Sequence, residues 1–537
     1  MENLSNKKKK VFVTGAIILA IAGLLCKIIG ALFRIPLRNM MGVAGMTYYS
    51  TVYPYYSALI VVATSGLPTA VSKLVSERVS LGDGRGAQKV FKQSLLLLLF
   101  IGLFTTFLMF FGANFLAKAT NCPGSEKSFR ALAPALLIVS VMCAFRGYLQ
   151  GLQKMTGTAL SQLMEQVGKL FISLLLVKKL LPKGFDVAAA GALLGITISE
   201  FLALIVIFAF YVYNKKHDSI QYDDKIDDGT NYLKPIFQLA IPITIGAAIM
   251  PLTGIMDTLL IKNIMLDTGF TREYADMCFA VFRTDVSTVI NMPAALTIAL
   301  SMSLVPAISE SLALKDYSRS KQVATMGIKL AMFVGLPCAV GLFIIGGEVI
   351  DFLFKVTPEE LATGTSLMKI SSIGIVFLSM VQTLTGCIQG HGKPNVPVIF
   401  LSIGAVFKII TMYLLMRIPS LNINGAAIST VVCYAIAGIL DLIYLIRISK
   451  LNLNFLQVFG KPIAASLLMG IVVYLTRSLF LKAKLSSALV AVASILIGIV
   501  FYLLFTLLFR TLDNDELKLI PGGNKVIHLM NKFGLSK

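Results

Sequence analysis

The length, composition and charge of the chain exclude a water-soluble globular protein. Of its 537 residues, 56% are hydrophobic and only 14% are charged, and the mean hydropathy is +0.82. Soluble domains carry about 25% charged residues. The formal net charge of +21 fits either a nucleic-acid surface or a membrane protein with basic cytoplasmic loops and an anion site. We expect no nucleic-acid partner, because no segment reads as a soluble basic domain.

Apolar stretches that are long enough to cross a bilayer recur along the chain. A spanning α-helix needs about 20 apolar residues, and backbone groups in lipid must be paired within the segment. We therefore predict an all-α polytopic membrane protein with about fourteen transmembrane helices. The predicted helices lie at about 11–33, 50–76, 92–117, 129–151, 158–181, 187–213, 235–262, 279–309, 321–346, 365–390, 396–417, 424–448, 460–481 and 486–510.

A repeated pattern divides these helices into two sets of six. RGYLQGLQKMTGTALSQLMEQVGKLF (146–171) aligns without gaps to TGCIQGHGKPNVPVIFLSIGAVFKII (385–410). The identical positions pair Gly147 with Gly386, Gln150 with Gln389, Gly151 with Gly390, Lys154 with Lys393 and Lys169 with Lys408. Upstream, Pro68 and Pro306 stand at nearly equal distances from these glycines. A parallel repeat suits two lobes that rock against each other, whereas glycine-rich packing without transport is the alternative.

The repeat predicts an N-lobe at 1–213 and a C-lobe at 235–450, with an acidic cytoplasmic linker at 214–234 between them. Two more helices follow at 451–511, and 512–537 is a tail. We count about 25 Lys and Arg in predicted inside segments against about 17 outside, which places both termini in the cytoplasm. Because Trp is absent, an interfacial aromatic belt must use residues such as Tyr48, Tyr49, Tyr53, Tyr55 and Tyr56.

Basic residues in the first predicted helix indicate an anion site. Lys27, Arg34 and Arg38 are spaced by seven and four residues, so they share one helical face. An ionisable residue at membrane depth is costly unless it faces protein or water. We therefore expect these three cations to bind an anionic substrate. The alternative is snorkelling to the membrane surface, which suits Arg38 better than Lys27.

Two further charged pairs lie in the first lobe. Lys73 and Glu77 stand at i, i+4 and can neutralise each other; we take Lys73 as a substrate-binding candidate and Glu77 as a gating residue. Glu165 and Lys169 belong to a polar stripe that must face the bundle interior. Both are candidates for a coupling or gating role, although an internal ion pair between the two is the simpler interpretation and the one we favour.

Three charged residues stand out in the predicted helices 7 and 8. Asp257 is an isolated carboxylate at membrane depth, which titrates, binds a cation or pairs with a base. Arg283 is the best substrate-binding candidate of the second lobe, because a guanidinium engages phosphate oxygens in bidentate fashion. Asp285 beside it weakens that prediction and is a second coupling candidate.

Signatures of enzymes are missing from the sequence. The histidines are not paired at metal-ligand spacing, the cysteines form no C-x-x-C motif, and no nucleotide-binding loop or nucleophile elbow is present. We therefore expect no catalytic residue, metal site or cofactor.

Several segments carry a family pattern. KIIGALFRIPLRNMMG, SGLPTAVSKLVSE, RGYLQG and NMPAALTIALSMSLVPAISE resemble the polysaccharide-transporter branch of the multidrug, oligosaccharidyl-lipid and polysaccharide exporter superfamily, and within it the lipid II flippases and related sporulation proteins. The resemblance implies a V-shaped fold around a central cationic cavity, which flips undecaprenyl-diphosphate-linked cell-wall precursors by alternating access. It also implies that residues 451–511 form a groove for the polyprenyl tail.

Carried over residue by residue, the resemblance makes Lys27, Arg34 and Arg283 diphosphate ligands and Asp257 a coupling carboxylate. The expected partners are a polyprenyl-diphosphate-linked glycan, the lipid bilayer, and either a coupling ion (sodium or proton) or the membrane potential, with the chain acting as a monomer in the cell membrane. The first alternative is a cation-coupled multidrug exporter, which should line its cavity with acids rather than bases. A non-transporting scaffold for cell-wall enzymes is a third hypothesis, in which the intramembrane cations are dispensable.

Overall fold

A computed structural model describes residues 2–217, 231–509 and 511, and this part of the chain is helical without a β-strand. It contains 13 stretches that are long and apolar enough to cross a membrane. One of them, Ile21–Ser80, has 60 residues and is long enough to cross twice, since a helix rises about 1.5 Å per residue. The predicted all-α polytopic membrane fold is confirmed.

The chain forms two compact units, Met1–Ala280 and Val281–Lys537. The described residues of the first unit form nine α-helices: α1 Glu2–Thr64, α2 Gly66–Ser80, α3 Gly84–Phe111, α4 Ala113–Ala119, α5 Ser125–Gly151, α6 Met155–Leu180, α7 Phe185–His217, α8 Leu233–Asp267 and α9 Arg272–Ala280. α1 is two helices that meet at Gly42, whose positive φ of 62° interrupts the helical conformation. The first predicted helix therefore extends beyond residue 33 and carries Arg34 and Arg38 in its last turns.

The second unit begins with a π-helical segment, Val281–Val286. Seven α-helices follow within its described residues: α10 Ser287–Ala313, α11 Tyr317–Leu353, α12 Pro358–Gly390, α13 Asn395–Met416, α14 Asn424–Ser449, α15 Lys461–Lys482 and α16 Ser487–Leu508. The last two lie within two residues of the predicted spans 460–481 and 486–510. Most of the predicted linker and all of the predicted tail lie outside the described residues.

The helices of the two units pack in the same order, as the predicted repeat requires. In the first unit α5 packs against α2, α3 and α7, and α6 packs against α7. In the second unit α12 packs in the same way against α10, α11 and α14, and α13 packs against α14. α8 and α9 pack on helices of the first unit, although they follow the predicted linker.

The repeated glycines mark the contacts of α5 with α2 and of α12 with α10. Gly147 approaches the backbone of Pro68, and its counterpart Gly386 approaches the backbone of Ser301. Glycine permits this approach because it has no Cβ. The structure therefore equates Pro68 with Ser301, and Pro306 lies five residues beyond the position equivalent to Pro68. In the corrected register, VSERVSLGD (75–83) matches ISESLALKD (308–316).

Large apolar side chains cover the outer faces of several helices. On α3, Phe100, Phe104 and Phe107 are exposed, and on α16 Leu496, Ile499 and Val500 are exposed. Contiguous apolar surface of this extent is typical of helices that face lipid.

Candidate functional site

The basic site of the first unit forms where α6 packs beside the first half of α1. A Cβ on Gly30 would lie 3.4 Å from the Gln166 Oε1, so this glycine marks where the polar stripe of α6 meets α1. The stripe therefore faces the interior of the unit, as its spacing predicts. It lies beside the helical turns of α1 that carry Arg34.

Two cations in this region lie over aromatic rings. The Lys169 Nζ is 5.3 Å from the centroid of the Tyr53 ring and 5.2 Å from that of Phe33. The Arg34 Cζ is 6.0 Å from the same Tyr53 ring, which stacks on Tyr49. A cation over an aromatic face gains about 0.5–2 kcal/mol, which holds it in place without neutralising its charge.

Glu165, the carboxylate of this region, forms its ion pair with neither Lys169 nor Arg34. Arg146 of α5 donates to the Glu165 Oε2 at 3.2 Å and to the Ser161 Oγ at 2.9 Å, while the Gln166 amide donates to the other Glu165 oxygen. The ion pair of Glu165 is thus with Arg146, and the favoured expectation of a Glu165–Lys169 pair is wrong. Lys169 is near Glu165 because side chains at i, i+4 are neighbours on a helix. The Arg146 guanidinium, from the adjacent helix, has several N–H donors and can bond both Glu165 and Ser161 at once.

The tyrosines of α1 line the same interior. Tyr49, Tyr55 and Tyr56 are buried. These three side chains therefore face the protein interior, whereas Tyr48 and Tyr53 are half-buried. A phenol combines an apolar ring with a hydroxyl that reaches a buried polar partner, which suits a protein interior as well as an interface.

The remaining candidates of α1 and α2 differ in exposure. Lys27 is exposed, Arg34 is half-buried, and Arg38 is 1% exposed. Arg38 therefore does not snorkel. Lys73 and Glu77 form the expected exposed i, i+4 pair, with 3.8 Å between Nζ and Oε1.

The candidates near the unit boundary lie in different units. Asp257 is buried on α8 of the first unit, whereas Arg283 and Asp285 belong to the π-helical segment of the second. Asp285 is fully buried and Arg283 is half-buried. π-Helical turns are rare and often mark functional positions.

Sequence reasoning missed two polar clusters. Arg146 belongs to the quoted RGYLQG motif, and the rule that flags ionisable residues inside spanning helices applies to it directly. Lys262 of α8 is 1% exposed and forms an ion pair of 2.7 Å with Asp276 of α9, and its Nζ also lies 5.0 Å from the Phe279 ring centroid. This pair ties α8 to α9.

In the second unit, α15 and α16 are attached to α11 by polar contacts. The Arg477 side chain contacts Glu348 Oε1 at 2.7 Å, and the Tyr502 hydroxyl donates to the carbonyl oxygen of Phe333 at 2.9 Å. The last two helices are therefore part of the packed unit.

The sequence is similar to two protein families and to several known membrane proteins. The sequence model of the polysaccharide biosynthesis protein family matches residues 12–312, and that of MatE matches residues 269–414. The stage V sporulation protein B of Bacillus subtilis is 24% identical over 96% of this chain and 98% of its own length. The lipid II flippase MurJ of the same organism is 26% identical over 78% of this chain and 80% of its own length.

Among solved structures, the lipid II flippase MurJ in an inward closed conformation matches 92% of this chain and 99% of its own, with a TM-score of 0.67 and 18% identity. An inward-facing MATE multidrug transporter gives a TM-score of 0.62 at 16% identity. Both share the fold. With the family match over more than half of its length, the chain belongs to the polysaccharide biosynthesis protein family, in the multidrug, oligosaccharidyl-lipid and polysaccharide exporter superfamily of membrane transporters.

Proposed function

We propose that this transporter is a flippase, which moves an undecaprenyl-diphosphate-linked cell-wall precursor similar to lipid II outward across the cytoplasmic membrane by alternating access. The observation that carries the proposal is the pair of cations, Arg34 and Lys169, that lies over the Tyr53 ring while Glu165 is engaged by Arg146. A diphosphate is the anionic group of such a lipid. Guanidinium and ammonium groups beside a low-dielectric interior are suited to bind it.

The relatives support the same substrate class. One of them is named a lipid II flippase, and it resembles this chain over most of both lengths. In the proposed cycle, diphosphate binding lowers the repulsion between basic residues and favours the closed state. A membrane potential that is negative inside favours outward movement of the anionic head group. We assign Lys27, Arg38, Lys73 and Arg283 as further diphosphate contacts, and Asp257, Asp285 and Glu77 as coupling or gating groups.

The test removes one charge at a time. Arg34→Gln and Lys169→Gln should each reduce flipping of fluorescent lipid II in proteoliposomes about tenfold or more, because a hydrogen bond to a charged group contributes about 1.5–3 kcal/mol. Lys178→Gln is the matched control, since Lys178 lies exposed in the last turn of α6, the helix that also carries Lys169. Wild-type flipping rates in both site variants would refute the proposed site. Failure of the wild-type chain to flip lipid II would refute the function.

A multidrug exporter is the second candidate, because the MatE model matches residues 269–414. This function predicts that expression of the chain raises resistance to cationic drugs and that Asp257→Asn abolishes the resistance. The flippase predicts no change in drug resistance, but rescue of a strain depleted of its own lipid II flippase.

A further inference from the structure

Helix α14 of the second unit carries a deeply buried carboxylate. Asp441 is 0% exposed, and within the described part of the chain neither of its carboxylate oxygens has a hydrogen-bond partner. An ionised carboxylate without partners costs many kcal/mol in an apolar interior, whereas the protonated acid costs far less. The surroundings therefore select the neutral form.

Hydrogen bonds fix the position of Asp441 relative to α12. Ser366 bonds to Asn424, and Ser449 bonds to His391, and the partners are 58 positions apart in both pairs. α12 and α14 thus run parallel, with Asp441 level with the buried Thr383. The α12 contacts made near this level, at Gly438, are with Met380 and Val381, which are apolar.

Helix α13 also presents no charge at this level. Gly404 approaches Cys433, and the Phe400 and Tyr444 ring centroids are 5.9 Å apart, so α13 and α14 run antiparallel. Asp441 lies between Cys433 and Tyr444 and is therefore opposite the stretch FLSIG (400–404). Lys408 is one turn beyond Gly404, on the side away from Asp441. The other titratable or charged groups of these helices are at different levels. They are Glu359, Glu360, Lys369 and Cys387 on α12, Tyr413 on α13, and Cys433, Tyr434, Tyr444 and Arg447 on α14, with His391 directly after α12; both His391 ring nitrogens are hydrogen-bonded.

The repeat shows that the fold does not need a carboxylate here. With Gly191 aligned to Gly425, the buried positions of α7 and α14 coincide, and Ala203 corresponds to Ala437. The counterpart of Asp441 is then Ile207, which is equally buried. The same place in the same helix packing is filled by an aliphatic side chain in one unit and by an acid in the other.

We propose that Asp441 is a proton-binding site of this transporter. Asp441 carries the proton as a neutral carboxylic acid while α14 is packed against α12 and α13, and it releases the proton to water when that packing opens during the transport cycle. The step interconverts a carboxylic acid with a carboxylate and an aqueous proton, and it needs no other reactant. It rests on the proposed transport function and couples it to proton movement.

Infrared spectroscopy of the purified full chain in lipid nanodiscs tests the protonation directly. At neutral pH the wild type should show a band of a buried protonated carboxylic acid that Asp441→Asn lacks. Asp441→Ile copies the residue of the other unit and serves as the fold control; it should retain the thermal stability of the wild type. Identical spectra of the wild type and Asp441→Asn in this region would overturn the proposal.

Flipping of fluorescent lipid II in proteoliposomes, measured across a range of imposed pH gradients, tests the coupling. Wild-type flipping should change severalfold with the gradient, and both Asp441 variants should lose that dependence. A dependence that survives in both variants, or one that follows sodium instead, would overturn the proposal. If the wild type flips no substrate, the proposed function fails, while the infrared result still reports whether Asp441 holds a proton.

Discussion

At the scale of single residues, the choice of partner for each buried charge defines the candidate site. Glu165 is engaged by Arg146, whose guanidinium also bonds Ser161, while Lys169 lies over the Tyr53 and Phe33 rings. One carboxylate thus neutralises one base, and the cations over the rings keep their charge for a ligand. A cation held on an aromatic face is positioned to bind an anion, because the ring attracts the cation only weakly and leaves its charge available.

The Arg146–Glu165 pair should contribute more to stability than an exposed pair. Both of its side chains are largely buried, at 11% and 21% exposure, so removing one partner leaves a poorly solvated charge. A double-mutant cycle with Arg146→Gln and Glu165→Gln should give a coupling free energy of about 0.5–3 kcal/mol in thermal unfolding in detergent. The matched control is the exposed Lys73–Glu77 pair, for which we expect about 0.3–0.5 kcal/mol. Equal couplings in the two cycles would contradict this reading.

At the scale of helices, glycines determine how closely the repeated elements pack. Gly147 and Gly386 occupy equivalent positions on α5 and α12; Gly147 faces the backbone of α2, and Gly386 faces the backbone of α10. The second contact is the tighter of the two. A Cβ on Gly386 would lie 2.7 Å from the carbonyl oxygen of Ser301, whereas one on Gly147 would lie 3.0 Å from that of Pro68.

Gly386→Ala should therefore destabilise the protein more than Gly147→Ala, because a backbone atom cannot rotate away as a side chain can. Overpacking of this kind costs about 1–3 kcal/mol. Gly341→Ala is the control: Gly341 lies inside α11, and a Cβ there meets nothing within 4 Å. Thermal unfolding of the three variants should rank Gly386→Ala lowest in midpoint and Gly341→Ala at or above wild type. A Gly386→Ala midpoint equal to that of the control would show that α10 and α12 can separate at low cost.

At the scale of the whole molecule, two units repeat one helix order, and the second adds α15 and α16. These two helices are joined to α11 through Glu348–Arg477 and Tyr502. We keep as a proposal that they form the groove for the polyprenyl tail. The packing order within each unit follows from the repeat, since equivalent glycines and equivalent apolar faces recur at equivalent positions.

The orientation in the membrane follows from the distribution of Lys and Arg and is a separate prediction. Both termini should be cytoplasmic, because predicted inside segments hold the larger share of basic residues. A fluorescent protein fused to the C-terminus should fluoresce in cells, and alkaline phosphatase fused after Gly184, in the turn between α6 and α7, should be active outside. The reverse pattern of the two reporters would invert the assigned orientation and with it the assigned direction of transport.

The sequence alone determines the fold class, the number of membrane-spanning stretches to within one of the 13 in the described residues, and the parallel repeat, because apolar length and the spacing of glycines are local properties of the chain. It also locates the polar stripe of α6 and the last two helices. The basic residues Arg34 and Lys169 are recognised for the same reason, since any charge within an apolar stretch is conspicuous.

Only the tertiary structure decides which charges meet. The pairing of Glu165 with Arg146, the burial of three α1 tyrosines, the Lys262–Asp276 pair and the register of Pro68 with Ser301 all depend on contacts between different helices. Helical spacing predicts which charged side chains of one helix can pair with each other. Once two helices pack, a side chain of the neighbouring helix can form the ion pair instead. The sequence marks Asp441 as a single charge within an apolar stretch, but its lack of a hydrogen-bond partner within the described residues is a property of three packed helices together.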